Sequence, residues 1–213
     1  MTSKARKQFY DGWNPSLLED SVRGSYFKGE QQIYFDYIED TIEEQETYLQ
    51  LWFEAEAMHG QFEYYTKDYR VSLQPFRGDC SIPIKWKLAK KLEQIAEKYG
   101  KPITILYFGD YDTKGLQIFN SALKDIRQWC KAKFDVERIG LTIEQAKSMS
   151  IPENPNKPGT YQWEALNDEQ AGQLIVKAVE KYVSKPTEEL LKHEAEIRSG
   201  TVKVIQNYLE QCQ

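Results

Sequence analysis

Hydrophobic and polar residues follow one another along the chain in blocks that predict alternating strands and helices. The most sharply bounded block is the apolar run 103–108, which lies between Pro102 and Gly109 and is typical of a buried strand. Three further segments have strand character: 48–54, 70–75 and 134–141. These four segments predict a four-stranded sheet.

Segments with helical spacing of apolar residues separate these strands. The strongest covers residues 84–99 and ends at Gly100. The other predicted helices cover residues 55–69, 116–131, 143–149, 168–183 and 187–209. Because strands and helices alternate, we expect an α/β fold with a mainly parallel, Rossmann-like sheet flanked by helices.

The same pattern divides the chain into three parts. Residues 1–46 are aromatic and charged and include a helical stretch, so they are predicted to form an N-terminal helical extension or connector. Residues 47–183 hold all four predicted strands and form the main domain. Residues 184–213 are predicted to be a C-terminal helix that follows the break at Pro186.

Composition narrows the classes of function. The chain has 213 residues, of which 40% are hydrophobic, and a net charge of -5, which disfavours a nucleic-acid binder without excluding one. Cys80, Cys130 and Cys212 show no metal-binding spacing and favour a reducing compartment. His59 and His193 are the only histidines, so a histidine-based zinc site is not expected. No signal peptide or membrane-spanning run is present, and the expected location is the cytoplasm.

Acidic residues stand at the ends of two predicted strands. Glu54 ends the first strand, and Asp110 and Asp112 follow the strand at 103–108. Ligands of open α/β sheets bind just past the carboxyl ends of the strands. Carboxylates from neighbouring strand tips, about 4.8 Å apart, can share one cation, and Mg²⁺ accepts such oxygen ligands together with water. If these strands are neighbours, the three acids predict a site for Mg²⁺ or Mn²⁺.

The order of these residues resembles the Toprim domain, over roughly residues 47–183. The likeness lies in a strand-end glutamate, a glycine after the second strand, and the run Asp-x-Asp-x-x-Gly at 110–115. Toprim domains occur in type IA and type II topoisomerases, bacterial primases, recombination mediators and a class of nucleases. The chain is most similar to the Toprim module of the topoisomerase VI A subunit and to bacterial and phage proteins with that module.

The resemblance implies roles for individual residues. Glu54 matches the Toprim glutamate, a metal ligand or general acid/base, although Glu56 stands two residues on. Asp110 and Asp112 match the metal-binding pair. The motif glycines are Gly78 and Gly115, and phosphate-contacting roles fall to Arg77, Ser81 and Lys114. Segments 154–157 and 163–166 also look like those relatives, with no chemistry assigned to them.

Two functions follow from the resemblance. The first is Mg²⁺-dependent chemistry on DNA phosphodiesters, as a nuclease or as the metal-binding part of a topoisomerase-like cleavage complex. The alternative is a non-catalytic module that binds DNA or protein and keeps a structural or vestigial metal site. A receiver-like phosphotransfer domain also places acids at strand ends, but the glycine after Asp-x-Asp argues against it.

The resemblance also implies partners. Topoisomerase VI A chains carry a winged-helix domain with a nucleophilic tyrosine, whereas about 46 residues precede the first strand here, and neither Tyr10 nor Tyr26 matches that nucleophile. Transesterification would therefore require a separate chain that supplies the nucleophile domain. Toprim proteins of this kind often dimerise, so a homodimer is expected as well.

Other conspicuous side chains are predicted to be structural. The lysines of 85–98 fit a solvated helix face, and His59 fits a packing or surface role. Tyr111, between the two aspartates, offers a ring on which a base could stack. Four tryptophans are expected in the core: Trp52, Trp86, Trp129 and Trp163.

Overall fold

The computed structural model describes residues 40–76 and 81–211. The chain divides into two compact units. One comprises residues 42–185 and contains the sheet, and the other comprises residues 1–41 and 186–213. Most of the predicted N-terminal extension, including Tyr10 and Tyr26, lies outside the described residues.

The unit 42–185 is built on one all-parallel sheet, as the alternation of elements predicts. Its strands are β1 (Tyr48–Phe53), β2 (Ser72–Pro75), β3 (Ile103–Phe108) and β4 (Phe134–Gly140). Their order across the sheet is β2-β1-β3-β4. All six residues of β1 and all six of β3 are buried, because helices cover both faces of a parallel sheet.

Helices connect and flank these strands. Those of the unit 42–185 are α1 (His59–Thr66), α2 (Ile82–Tyr99), α3 (Thr113–Trp129), α4 (Ile143–Ser148) and α5 (Asp168–Glu180). Short 3-10 turns occupy Thr41–Glu44, Glu56–Met58 and Trp163–Ala165. In the other unit, α6 (Glu188–Gln211) begins with Thr187 Oγ1 accepting a hydrogen bond from the Leu190 amide at 3.2 Å.

Alternation along the strands sends side chains to two separate apolar layers. On one face, Leu51, Phe53 and Phe108 pack with residues of α1, α4 and α5 such as Phe62 and Ile175. The second layer lies under α2 and α3 and includes Trp52, Ile105, Tyr107, Leu92 and Phe119. The sheet is therefore the central layer of three.

Two predictions about individual elements are wrong. The helix predicted over 55–69 is limited to His59–Thr66, because Ala55 keeps an extended backbone and the chain first makes a 3-10 turn. Trp86 is 49% exposed on the outer side of α2, whereas Trp52 and Trp163 are buried as expected. Among the described residues, no helix combines the length and apolarity needed to cross a membrane.

Candidate functional site

The acidic residues of the motif meet at the carboxyl edge of β1 and β3. These two strands are neighbours, with Phe53 paired to Phe108, and the Glu54 amide continues the ladder by donating to the Phe108 carbonyl at 3.0 Å. From β1 the chain crosses to β2 on one side and later returns to β3 on the other. Such a switch point leaves a crevice at the strand ends, where ligands of open α/β sheets bind.

Glu54 lies between the end of β3 and the first turn of α3. Its Oε2 accepts a hydrogen bond from the Asp110 amide at 3.0 Å. A Cβ added to Gly109 would stand 2.6 Å from Glu54 Oε2, and one added to Gly115 would stand 3.4 Å from Glu54 Oε1. Both glycines therefore leave the space that the partly buried Glu54 carboxylate occupies.

The two aspartates are fixed by different partners. Asp110 Oδ1 accepts a hydrogen bond from the Trp163 amide at 2.8 Å. Asp112 is the N-cap of α3, and its Oδ1 accepts a short hydrogen bond from the Gly115 amide. The cap bonds the amide three residues on, and the glycine at that position leaves room for the capping carboxylate, since a Cβ there would stand 3.1 Å from Asp112 Oδ1.

Each carboxylate thus uses one oxygen to hold a backbone amide. Within the described part of the chain, the second oxygen of each accepts no hydrogen bond. These second oxygens are Glu54 Oε1, Asp110 Oδ2 and Asp112 Oδ2. They are the atoms with which the cluster could bind a cation.

The electrostatics of the cluster favour a positive ligand. Burial raises the pKa of the Glu54 carboxyl, and the charges of Asp110 and Asp112 raise it further. Burial likewise raises the pKa of Asp110, with added repulsion from Glu164 and Asp112. A cation at the cluster would relieve both the desolvation and the repulsion.

Arg138 on β4 is a member of this site that the sequence analysis missed. Its Nη2 donates to the carbonyls of Asp110 at 2.6 Å and Leu141 at 3.2 Å, with a longer contact to the Gly109 carbonyl at 3.5 Å. The guanidinium also lies 5.6 Å from the centre of the Tyr107 ring. Burial lowers its pKa, but the nearby acids oppose that change, and an arginine stays charged. It holds the Asp110 loop and partly neutralises the cluster.

The loop 151–162 closes one side of the site. Tyr161 and Tyr111 form an antiparallel bridge, with amide-to-carbonyl bonds of 2.8 and 3.0 Å. The Nζ of Lys157 lies 3.9 Å from Asp112 Oδ2, and the lysine side chain is 60% exposed. Segment 154–157 stands out in the sequence without any chemistry assigned to it, and the position of its lysine beside Asp112 is the second feature that the sequence did not predict.

Among the other predicted residues, those that the structure describes make no contact with the cluster carboxylates in the hydrogen bonds and ion pairs of the site. Arg77 and Gly78 lie outside the described residues. Ser81 is the exposed residue before α2, where its side chain makes no capping hydrogen bond. Lys114 is exposed in the first turn of α3, and Glu56 is exposed in the 3-10 turn after β1.

The cluster does not form a closed metal cage. No three Asp, Glu, His or Cys side chains of residues 40–76 and 81–211 are arranged so that they could hold a metal ion between them. Mg²⁺, however, usually keeps several waters and needs only one or two carboxylates. Zinc and calcium usually take more protein ligands than two carboxylates.

The fold and site define a class: an α/β protein with an acidic cluster at the switch point of a parallel sheet. Compared with known proteins, the chain matches no family model, no curated protein and no solved structure. The Toprim resemblance accordingly remains a prediction from the residues of the motif.

Proposed function

We propose that this protein carries out Mg²⁺- or Mn²⁺-dependent chemistry on nucleic-acid phosphodiesters, with DNA as the substrate. It would act as a nuclease or as the metal-binding part of a topoisomerase-like cleavage complex. The observation that carries the proposal is the meeting of Glu54, Asp110 and Asp112 at adjacent strand ends, each with one oxygen that accepts no hydrogen bond from the described residues.

Each acidic side chain has a distinct proposed role. Asp110 and Asp112 would bind the metal through their second oxygens. Glu54, whose pKa is raised by burial, would complete the metal site or exchange a proton as general acid/base. The bound metal would supply Lewis-acid stabilisation of charge on the phosphodiester oxygens.

Three polar residues are proposed to contact phosphate. Lys114, exposed at the start of α3, faces no described ion-pair partner. Ser81 lies at the start of α2. Arg77 completes the set on the basis of the sequence motif alone.

The test is incubation of supercoiled plasmid with the protein and Mg²⁺ or Mn²⁺. We expect nicking or linearisation that disappears with chelator and in Asp110→Asn, Asp112→Asn and Glu54→Gln. These amides keep an oxygen for the backbone hydrogen bond, so they remove charge with little change in packing. The matched control is Glu63→Gln, an exposed acid on α1, which should cleave like the wild type.

A second function is favoured by a different observation. Every carboxylate of the cluster already holds a backbone amide, as a purely structural acid would. The chain would then be a non-catalytic module that binds DNA or protein, with a structural or vestigial metal site. Metal binding without plasmid cleavage would support this module and count against the enzyme.

The cleavage-complex form of the proposal has its own requirement. A separate chain would have to supply the nucleophile, and two copies of this chain would have to face two DNA strands. Measuring the mass of the protein by light scattering, alone and with DNA, would test the homodimer. A monomer under both conditions would leave only the nuclease form.

A further inference from the structure

We propose that Lys157 forms a phosphate-binding subsite beside the acidic cluster. The subsite would hold a phosphate of the nucleic-acid strand next to the reacting one. This inference rests on the proposed function, because it gives the same site a second contact with its substrate.

The loop that carries Lys157 is fixed to the acidic motif itself. The Trp163 amide bonds to Asp110 Oδ1 at 2.8 Å, and Tyr161 pairs with Tyr111, the residue between the two aspartates. Any ligand that reaches Asp110 and Asp112 therefore also meets this loop.

The backbone around Lys157 is held by hydrogen bonds within the loop. The Lys157 amide donates to the Asn154 carbonyl at 3.0 Å, and the Lys157 carbonyl accepts from Thr160 Oγ1 at 2.7 Å. The Thr160 carbonyl accepts from the Asn154 amide at 2.9 Å, which closes the turn. The backbone of Lys157 is therefore fixed in position, while its side chain extends toward solvent.

The ammonium group of Lys157 lies near an acid of the cluster without forming a hydrogen bond to it. At 3.9 Å from Asp112 Oδ2 it is too distant for a hydrogen bond, and more than half of the side chain is exposed. Exposed ion pairs of this kind contribute little to stability, so the ammonium can turn to another anion at small cost.

The negative charge around the site explains why a positively charged lysine would be needed to bind phosphate there. Glu54 lies close enough to Asp110 and Asp112 to be affected by their charges, and Asp110 is also affected by the charge of Glu164. Arg138 opposes them, but its Nη2 is occupied by backbone carbonyls. A phosphate would be repelled by this excess of negative charge, and a lysine offers the point charge that binds phosphate.

The experiment measures DNA binding separately from cleavage. Binding of a fluorescently labelled DNA oligonucleotide by the full chain is followed by anisotropy, in chelator and in Mg²⁺, over a series of salt concentrations. The variants are Lys157→Ala and Lys157→Arg, with Lys177→Ala as the control, since Lys177 is exposed on α5.

We expect Lys157→Ala to weaken binding by about five- to tenfold and to reduce the slope of log affinity against log salt by about 0.7–0.9, the loss of one phosphate contact. Lys157→Arg should restore the slope, and Lys177→Ala should leave it unchanged. All three variants should unfold like the wild type.

The outcomes separate this inference from the proposed function. If Lys157→Ala binds DNA as tightly as the wild type does, or binds more weakly with the same salt slope, the subsite proposal is wrong. Neither result counts against the metal-dependent chemistry. A wild type that neither binds nor cleaves DNA under any of these conditions overturns both.

Discussion

At the scale of single residues, Gly109 is the tightest point of the site. A Cβ there would stand 2.6 Å from Glu54 Oε2, which accepts the hydrogen bond of the Asp110 amide, and 3.0 Å from the hydroxyl of the buried Tyr107. We expect Gly109→Ala to destabilise the protein by about 1–3 kcal/mol, as overpacking does, and to displace the Glu54 carboxylate. Urea unfolding measures the first effect and plasmid cleavage the second.

Gly60→Ala is the matched control. Gly60 lies in α1 with open space around it, so alanine there should leave stability equal or raise it by up to about 1 kcal/mol through helix propensity. If Gly109→Ala and Gly60→Ala are equally stable, the Glu54 carboxylate can move aside to make room for a Cβ at position 109.

The raised pKa values of Glu54 and Asp110 make stability depend on pH. A carboxyl whose pKa is higher in the folded state stabilises the fold below its unfolded pKa, and that contribution is lost as pH rises through the folded value. In chelator, we therefore expect Asp110→Asn to be more stable than the wild type at pH 7.5, by up to about 1 kcal/mol, since part of the group is solvated.

The gain should shrink as the pH falls through the raised folded-state pKa values, because protonation then removes the charge of the wild-type carboxyls as the amide substitution does. Thermal unfolding of both proteins between pH 4 and pH 8 checks this, and Glu54→Gln should follow the same trend. A wild type that stays the more stable protein at pH 7.5 would contradict net repulsion in the cluster.

The partly buried guanidinium of Arg138 holds the loop that follows β3. Replacing this arginine by methionine keeps the apolar length but leaves the Asp110 and Leu141 carbonyls without this donor. We expect a loss of about 1.5–3 kcal/mol of unfolding free energy, the range for hydrogen bonds to charged groups. The exposed Lys124→Met on α3 should change stability by less than about 0.5 kcal/mol in the same urea titration.

At the scale of elements, α3 joins the acidic motif to the fold through its N-cap. Asp112→Ala should cost about 1 kcal/mol of stability, whereas Asp112→Asn should cost almost nothing, because asparagine caps equally well. Both variants should lose cleavage, since both remove the charge. Retained cleavage in Asp112→Asn would mean that capping is the whole role of this residue.

The cap of α5 provides a comparison for that prediction. Asn167 and Gln170 form a capping box there, with an Asn167 Oδ1 to Gln170 amide distance of 2.9 Å. Asn167→Ala should lower stability by a similar amount and leave cleavage unchanged. The pair of alanine variants therefore separates a loss of helix stability from a loss of site chemistry.

Most elements could be predicted because their signals are local. β3 has the predicted bounds 103–108, since proline and glycine enclose an unbroken apolar run. α3 begins three residues before the predicted position, because its start is set by the Asp112 cap rather than by apolar spacing. Trp86 was misplaced because an aromatic residue that fits the apolar period of a helix can still face solvent beside Lys90.

At the scale of the whole molecule, the acidic triad could be predicted but its surroundings could not. Strand ends can be read from the sequence, whereas the strand that lies beside β3 depends on long-range pairing. Arg138 and Lys157 reach the site only because β4 is that neighbour and because the 151–162 loop folds back on Tyr111. Arg138 belongs to no local pattern that marks it, and the resemblance of segment 154–157 assigns no role to Lys157.

The site should also be coupled to global stability. A ligand that binds only the folded protein stabilises it by RT ln(1 + [L]/Kd), about 2.7 kcal/mol at a hundredfold excess over Kd. We expect Mg²⁺ to raise the melting temperature of the wild type but not that of a variant with both Asp110→Asn and Asp112→Asn. Sodium chloride at matched ionic strength is the control, and an equal shift in both proteins would place the ion elsewhere.

The central position of β1 has a consequence for synthesis of the chain. Tyr48 pairs with Ile103, so the strand that is made first must wait 55 residues for one of its two neighbours. At about 5–20 residues per second, that delay is roughly 3–11 s. During that interval the ribosome-bound chain carries a six-residue strand that is apolar except for Gln50 and has an open edge. This segment is where we expect a chaperone to bind or aggregation to begin.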